Sequence, residues 1–600
     1  MAMRTNVLRL SLLACCSLVA AGGPAAAHSG ASLFPTSRFV APHPELATSQ
    51  LRLRRPMSAT LQGGQVQRYS LRLQAGDFAA VRIPQLQGNL AAVVFDPEGA
   101  VVGIFDQNGE GQAEVVTIDA ARAGEYAIQI AMFEWDASDV SYTIELTRHE
   151  RTQYRPADRA AQLFESWYEP GGPGAVLVVM QDGEISYQGA IGVENSDGHR
   201  PLSLQSPIDL ASVSKQFTAY GVALLVERGQ LRLDDDVRRY LPELPDYGTP
   251  ITVQHLLEHT SGLRDWDGLF ALTGRNIEDG ISIDDVVAMA ARQQSLNFTP
   301  GAEQRYSNTG YVLLAKIIER VTGQPYDLWA TENIFAPLGM RECSLERDAA
   351  IPARVTSFRR QFPEPISTST ERTITLGSSG LACSAHDLQR WIENYRTDPL
   401  GGGQVQRLVT QASASPTGTE TDYVFGNWHG RRGDHAMVGH QGLAAGFRTS
   451  VHDFPDDHVR VIYLANDGND ATYERVRVIE NLFLGIAPGP IEAPTDDYVP
   501  STQAVLSNGE IAELVGRYHS DEIEADYEIF QVGQSIVARH RAAGDIRLTR
   551  QQADAFSSDK WFVPSLTFVR DAAGRPVGLR IESEDVGSLF FRRVRSGGST

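Results

Sequence analysis

The chain has 600 residues, of which 42% are hydrophobic and 21% charged, and its formal net charge is -21. That length is more than one hydrophobic core fills, so two to four domains are expected, and the composition excludes a chain that is disordered over most of its length. The acidic balance, with no basic run against it, excludes nucleic acid and anionic membrane surfaces as partners.

Residues 1–27 read as a signal peptide. Arg4 and Arg9 give the positive start, Leu10 to Ala21 the apolar stretch, and Ala25-Ala26-Ala27 a small-residue cleavage site. A dozen or so apolar residues are too few to span a bilayer, so an exported periplasmic or extracellular protein with no membrane span is expected. Leu13-Ala14-Cys15-Cys16 leaves a lipid-anchored form as the alternative. Cleavage would leave Cys343 and Cys383, as one bridge or as two buried thiols. Two cysteines make no metal site, and no cofactor site is read either.

From about residue 58 to 147, in an N-terminal region bounded at 28–150, short segments alternate. Tyr69, Leu71 and Leu73 interleave with polar residues, as do Tyr126, Ile128 and Ile130, then Tyr142, Ile144 and Leu146. Gly63-Gly64, Asp96-Pro97-Glu98-Gly99 and Ala123-Gly124-Glu125 punctuate them. That spacing predicts an antiparallel sandwich. The stretches GQVQRYSLRL and AGEYAIQI resemble the small jelly-roll domains appended to many secreted bacterial peptidases.

Residues 155–487 change character. A helical pattern, ADRAAQLFESWY, precedes a hairpin turning at Asp182-Gly183. Helical patterns follow at Ser214 to Arg228 and Asn308 to Thr322, then strands at Phe447 to His452 and Val459 to Ala465, and a helix near Thr472 to Leu484. Strands at both ends with helices between predict an α/β (α+β) domain whose termini share one sheet. Pro488, Pro490, Pro494 and Pro500 mark a linker over 488–501. Residues 502–597 return to short alternating strands, predicting a small antiparallel barrel or sandwich.

Chemistry concentrates at Asp209-Leu210-Ala211-Ser212-Val213-Ser214-Lys215. Ser212 sits where a loop enters a helix, and Lys215, three residues on, shares its face. A serine hydroxyl is a weak nucleophile until a neighbour takes its proton, and a lysine whose ammonium is disfavoured can do so. The chain has only three lysines, Lys215, Lys316 and Lys560. A titratable amine is therefore kept here in a chain that otherwise relies on arginine. By itself the tetrapeptide also fits a serine N-cap followed by a surface lysine.

Residues Ile208 to Ala219 are similar to the nucleophile motif of the serine β-lactamase and D,D-peptidase superfamily. They most resemble the branch with class C β-lactamases, D-aminopeptidases and related esterases. QHLLEHTSGL (254–263), Tyr306-Ser307-Asn308, SSGLACSAHDLQRW (378–391) and His440-Gln441-Gly442 match in the expected order. The resemblance implies that Ser212 attacks the carbonyl while Lys215 and Tyr306 share its proton. Asn308 would bind substrate and orient Lys215, and the N–H groups of Ser212 and Leu443 would form the oxyanion hole. A lysine next to Tyr306 is expected to favour a phenolate. His440, with Gly442 and Leu443, would face substrate; classical β-lactamases hold a lysine there, so the histidine shifts weight toward peptidase or esterase.

The function expected is hydrolysis of small peptides or amides through an acyl-serine. Ester hydrolysis, β-lactam hydrolysis and a non-catalytic peptidoglycan or penicillin-binding sensor are the alternatives. His255 and His259 in HLLEH lack the H-E-x-x-H order and read as structural rather than metal-binding.

Overall fold

The computed structural model describes residues 42–594 except 63–64, 86–87, 109–111, 133–138, 170, 198–199, 276–279, 346–354, 362–363, 369–374, 398, 411–421, 470, 490–505, 541, 543 and 559. The signal-peptide call and nearly all of the linker call lie outside the described residues.

The N-terminal region folds into two facing sheets, one of five strands and one of four. Period-2 alternation puts Tyr69, Leu71, Ile128, Ile130, Tyr142 and Ile144 into the core between them. There the Tyr69 and Tyr142 hydroxyls meet at 2.9 Å. Strand Asp77–Pro84 is apolar on both faces. Its outer face, with Phe78 and Ala80, therefore packs beneath the next domain, against Phe164 and Trp167.

In that next domain, helix α1 (Pro156–Trp167) precedes the hairpin β1 (Ala175–Gln181) and β2 (Glu184–Ile191). Asp182 (φ 52°) and Gly183 (φ 87°) form its turn, the left-handed pair that this loop length requires. Two helices line the centre, α2 (Ser214–Glu227) and α3 (Asn308–Thr322). The chain returns through β3 (Tyr423–Val424), β4 (Asn427–Arg432), β5 (His435–Ala444), β6 (Phe447–Phe454) and β7 (Val459–Ala465), ending in α4 (Thr472–Leu484). One sheet runs β2-β1-β7-β6-β5-β4-β3, with Ala175 opposite Ala465 and Gln181 opposite Val459. The two ends of the segment thus share a sheet.

Helix α2 is apolar nearly all round and is buried from Ser214 to Leu225. Each large apolar side chain so buried, such as Phe217 or Leu224, contributes about 1.5–3 kcal/mol. This anchoring fixes the helix N-terminus, where Ser212 lies. Just upstream, Ile208–Asp209 pairs with Leu381–Cys383, which pairs with Ser344–Leu345. The Cys343–Cys383 disulfide ties this small sheet together.

The C-terminal region is a nearly closed, nine-stranded antiparallel barrel whose edge strands, Gly544–Arg547 and Thr549–Arg550, are neighbours in sequence. Its hairpin Pro576–Ser583/Gly587–Val594 reaches the central domain. Arg264, buried there, donates to Val586 O (3.0 Å), Ser588 O (3.3 Å) and Glu522 Oε2 (2.6 Å). No helix among the described residues is long and apolar enough to cross a membrane.

Candidate active site

Ser212 lies on a 3-10 turn, Ala211–Val213, that runs into α2. Side chains three apart eclipse in such a turn, which brings Lys215 over Ser212. Lys215 Nζ is 3.1 Å from Ser212 Oγ, 2.7 Å from Asn308 Oδ1 and 2.9 Å from the Ser378 carbonyl oxygen. The lysine is 0% exposed, and burial holds its pKa down to about 7 against the opposing pull of Asp265. Ser212 itself remains partly open. Ala211 takes φ 49°, a conformation costing a non-glycine residue about 1–2 kcal/mol. Its N–H is held by Asp209 Oδ1 at 2.8 Å.

Tyr306 and Asn308 flank the start of α3. The Lys215 amine stands 4.8 Å from the Tyr306 ring centre, and the Tyr306 hydroxyl bonds to Ser212. Burial raises Tyr306 above the usual phenol range, opposing the phenolate expected from sequence. Buried Asp265 accepts from the Asn308 N–H at 2.5 Å and from the Asp267 N–H at 3.0 Å, fixing the turn that presents Asn308. His259, with φ 58°, accepts from Ser307 N–H at 3.1 Å and lies against Tyr306, ring centres 4.4 Å apart. His255 closes a capping box with Thr252. Both histidines order the backbone, each through an Nδ1 that accepts from a main-chain N–H.

His440 is buried. Its Nδ1 lies 2.5 Å from the Gln441 carbonyl oxygen, an acceptor, so Nδ1–H donates there and Nε2 accepts from the Tyr423 hydroxyl at 3.0 Å. Burial, with Lys215 close by, holds His440 down to about 3, so it is neutral with both nitrogens occupied. Gly442 is a close approach: a Cβ there would sit 2.2 Å from Leu210 O and 2.3 Å from Thr449 Oγ1. Its absence lets β5 run against Leu210 and Ala211, which brings the neighbouring Leu443 alongside the Ser212 turn.

The sequence reading missed several groups around this centre. Tyr473 donates to Gly442 O at 2.7 Å and acts electrostatically on Tyr306. Trp428 lies nearly parallel to Tyr306 at 6.4 Å. From the barrel hairpin, Asp585 O accepts from Asp265 N–H at 3.0 Å, and Glu584 O accepts from Arg305 at 3.2 Å. The Asp585 side chain reaches solvent, yet protein packed around it and the charges of Asp265 and Glu584 push it up to about 7. Ser378 lay within a motif singled out from sequence, and Tyr473 within a predicted helix. The others take part through tertiary contacts that no local pattern announces.

A serine bonded to a buried lysine, with a tyrosine and an asparagine around them, defines the lysine-activated class of serine acyl-hydrolase sites. The Beta-lactamase family model matches residues 158–482, and the chain belongs to that family. It is 30% identical to a penicillin-binding protein of Bacillus subtilis (strain 168), over 56% of this chain and 77% of that one. It is 25% identical to the D-aminopeptidase of Brucella anthropi, over 71% and 96%. A solved octameric penicillin-binding protein homologue from Pyrococcus abyssi is 21% identical, covering 70% and 96%, with a TM-score of 0.48. The protein is a serine hydrolase.

Proposed function

We propose that this hydrolase is an exported peptidase of the D-aminopeptidase type, acting on small peptides and amides through an acyl-serine. The observation that carries this reading is the Lys215 amine, buried beside Ser212 Oγ at 3.1 Å with its pKa at about 7. In its neutral form it takes the Ser212 proton as Oγ attacks the substrate carbonyl carbon. The carbonyl oxygen becomes an oxyanion held by the N–H groups of Ser212 and Leu443. Tyr306, kept protonated by burial, passes its proton to the departing amine and regains one from the Lys215 ammonium. Water then attacks the acyl-serine, giving its proton back through the same groups and releasing a carboxylic acid.

The substrate class follows from charge. Neutral His440 offers no permanent cation for the carboxylate of a β-lactam. The barrel segment with Glu584 and Asp585 instead bonds to Arg305 and Asp265, and it carries a carboxyl, Asp585, poised at about 7. An incoming ammonium would draw the Asp585 proton off and pair with the carboxylate, which favours substrates with a free amino terminus.

The test is a panel of D- and L-aminoacyl amides, short esters and a chromogenic cephalosporin, run on wild type and Ser212→Ala, with a fluorophosphonate adduct mapped by mass spectrometry. Turnover of D-aminoacyl amides above the rest, and an adduct on Ser212 that Ser212→Ala abolishes, are expected. Preferred turnover of esters or the cephalosporin, or labelling that survives in Ser212→Ala, overturns the reading.

A further inference from the structure

We propose that the N-terminal sheets carry a calcium site built from side-chain oxygens of Asn89, Asp106, Asn108, Gln112 and Glu114.

These residues meet at one end of the two sheets. Asn89 leads into strand Leu90–Phe95. Asp106, Asn108 and Gln112 lie between strands Val101–Phe105 and Ala113–Asp119, and Glu114 is the second residue of the latter. Gln85 clamps these segments together. Its N–H donates to Gln112 O (2.8 Å), its Nε2 donates to Asn108 O (2.7 Å), and its Oε1 accepts from Leu90 N–H (2.5 Å).

The end so assembled is lined by acceptors without donors. Glu114, 1% exposed, uses Oε1 for the N–H groups of Gln107 (3.0 Å) and Asn108 (2.5 Å), while Oε2 has no partner among the described residues. Asn108, 4% exposed, donates Nδ2 to Ala113 O at 3.1 Å, which fixes Oδ1 as its second, unpartnered atom. Gln112 Oε1 and Asn89 Oδ1 are likewise buried and unpartnered. The Asn89 side chain bonds to the Asp106 carboxylate, and Asp106 acts electrostatically on Glu114.

A buried acceptor with no donor costs about 1–3 kcal/mol, and four such atoms belong to the segments that Gln85 joins. One water brings two hydrogens, too few for four acceptors and a second carboxylate. A cation satisfies all of them at once. The donors are oxygens only, with no nitrogen or sulfur ligand, which selects a hard cation over zinc or copper. Two carboxylates with neutral amide oxygens, topped up by water, suit the six to eight flexible ligands of Ca2+ better than the strict octahedron of Mg2+.

The experiment uses the full-length protein stripped with EDTA and titrated calorimetrically with CaCl2, with melting followed in 5 mM CaCl2 or MgCl2. One Ca2+ per chain is expected, with Kd between about 0.01 and 1 mM. Ca2+, and not Mg2+, should raise Tm by about 5 °C. Asp106→Asn and Glu114→Gln should each weaken binding at least about tenfold while fluorophosphonate labelling of Ser212 stays intact. Should Glu114→Gln fail to fold, Asp106→Asn decides, because the Asp106 side chain is exposed. Absence of saturable Ca2+ binding to wild type, equal response to Mg2+, or unchanged binding in Asp106→Asn overturns the proposal.

Discussion

If Lys215 is the base, the pH dependence of acylation should report its pKa directly. With that pKa at about 7, the neutral fraction is about 9% at pH 6 and about 91% at pH 8. The rate of Ser212 labelling by a fluorophosphonate, a probe without an amine, should therefore rise about tenfold between those pH values and then level off. An exposed lysine near 10.4 would be neutral to only about 0.04% at pH 7, so burial raises the supply of base about a thousandfold. The same shift, about 5 kcal/mol in all, sets a stability signature. Between pH 7 and 10 the unfolded lysine keeps a proton that the native one has shed. Stability should therefore increase with pH across that window by up to about 1.4 kcal/mol per unit, and Lys215→Met should flatten the slope. Lys215→Arg keeps charge without a usable base and should lower kcat/KM at least about a hundredfold at every pH. A wild-type profile flat from pH 6 to 8, or an acid limb that persists in Lys215→Arg, would refute the reasoning.

Three further outcomes can be checked. Asp585→Asn should raise KM about tenfold or more for substrates with a free amino terminus and leave their N-acetylated counterparts unchanged; equal effects on both would remove Asp585 from amine recognition. Cys343→Ala with Cys383→Ala should cost about 4 kcal/mol, the loop-closure value for a separation of 40 residues, read by urea denaturation at equal m. His440→Phe removes one of the two side-chain partners of the buried Tyr423 hydroxyl, the other being Tyr311, and should cost about 0.5–1.5 kcal/mol in the same assay, with no new limb in the pH profile near 6.5 because the native histidine is already neutral.

Much of this was legible in the chain. Alternation at Tyr69–Leu73 and Tyr142–Leu146 announced the N-terminal sheets, because a two-layer sandwich shows one face of each strand to the core. Asp182-Gly183 announced the hairpin, because few residues accept left-handed backbone. Ser212 and Lys215 were legible because their contact is local. Asp265 was not: it acts on Asn308, 43 residues on, through a backbone N–H that carries no side-chain signature. The bonding of His440 was hidden for a related reason: its ring nitrogen pairs with Tyr423, a residue of another strand. The acceptors near Glu114 stood out only once Gln85 was seen to draw their segments together.

The link between Arg264 and the barrel has a consequence in time. During synthesis, the last strand of the catalytic sheet, ending at Ala465, leaves the ribosome well before residues 584–588 exist. At about 5–20 residues per second, that interval lasts roughly 6–24 s. Until it ends, Arg264 lacks Val586 O and Ser588 O, and Asp265 lacks the carbonyl of Asp585. The nascent hydrolase thus carries, next to the turn that presents Asn308, a guanidinium held by Gln293 Oε1 and Ser295 Oγ without its barrel partners. Its rim takes final shape only when nearly the whole barrel has been made, so the order of the chain delays a finished peptidase site while its own polypeptide is still being built.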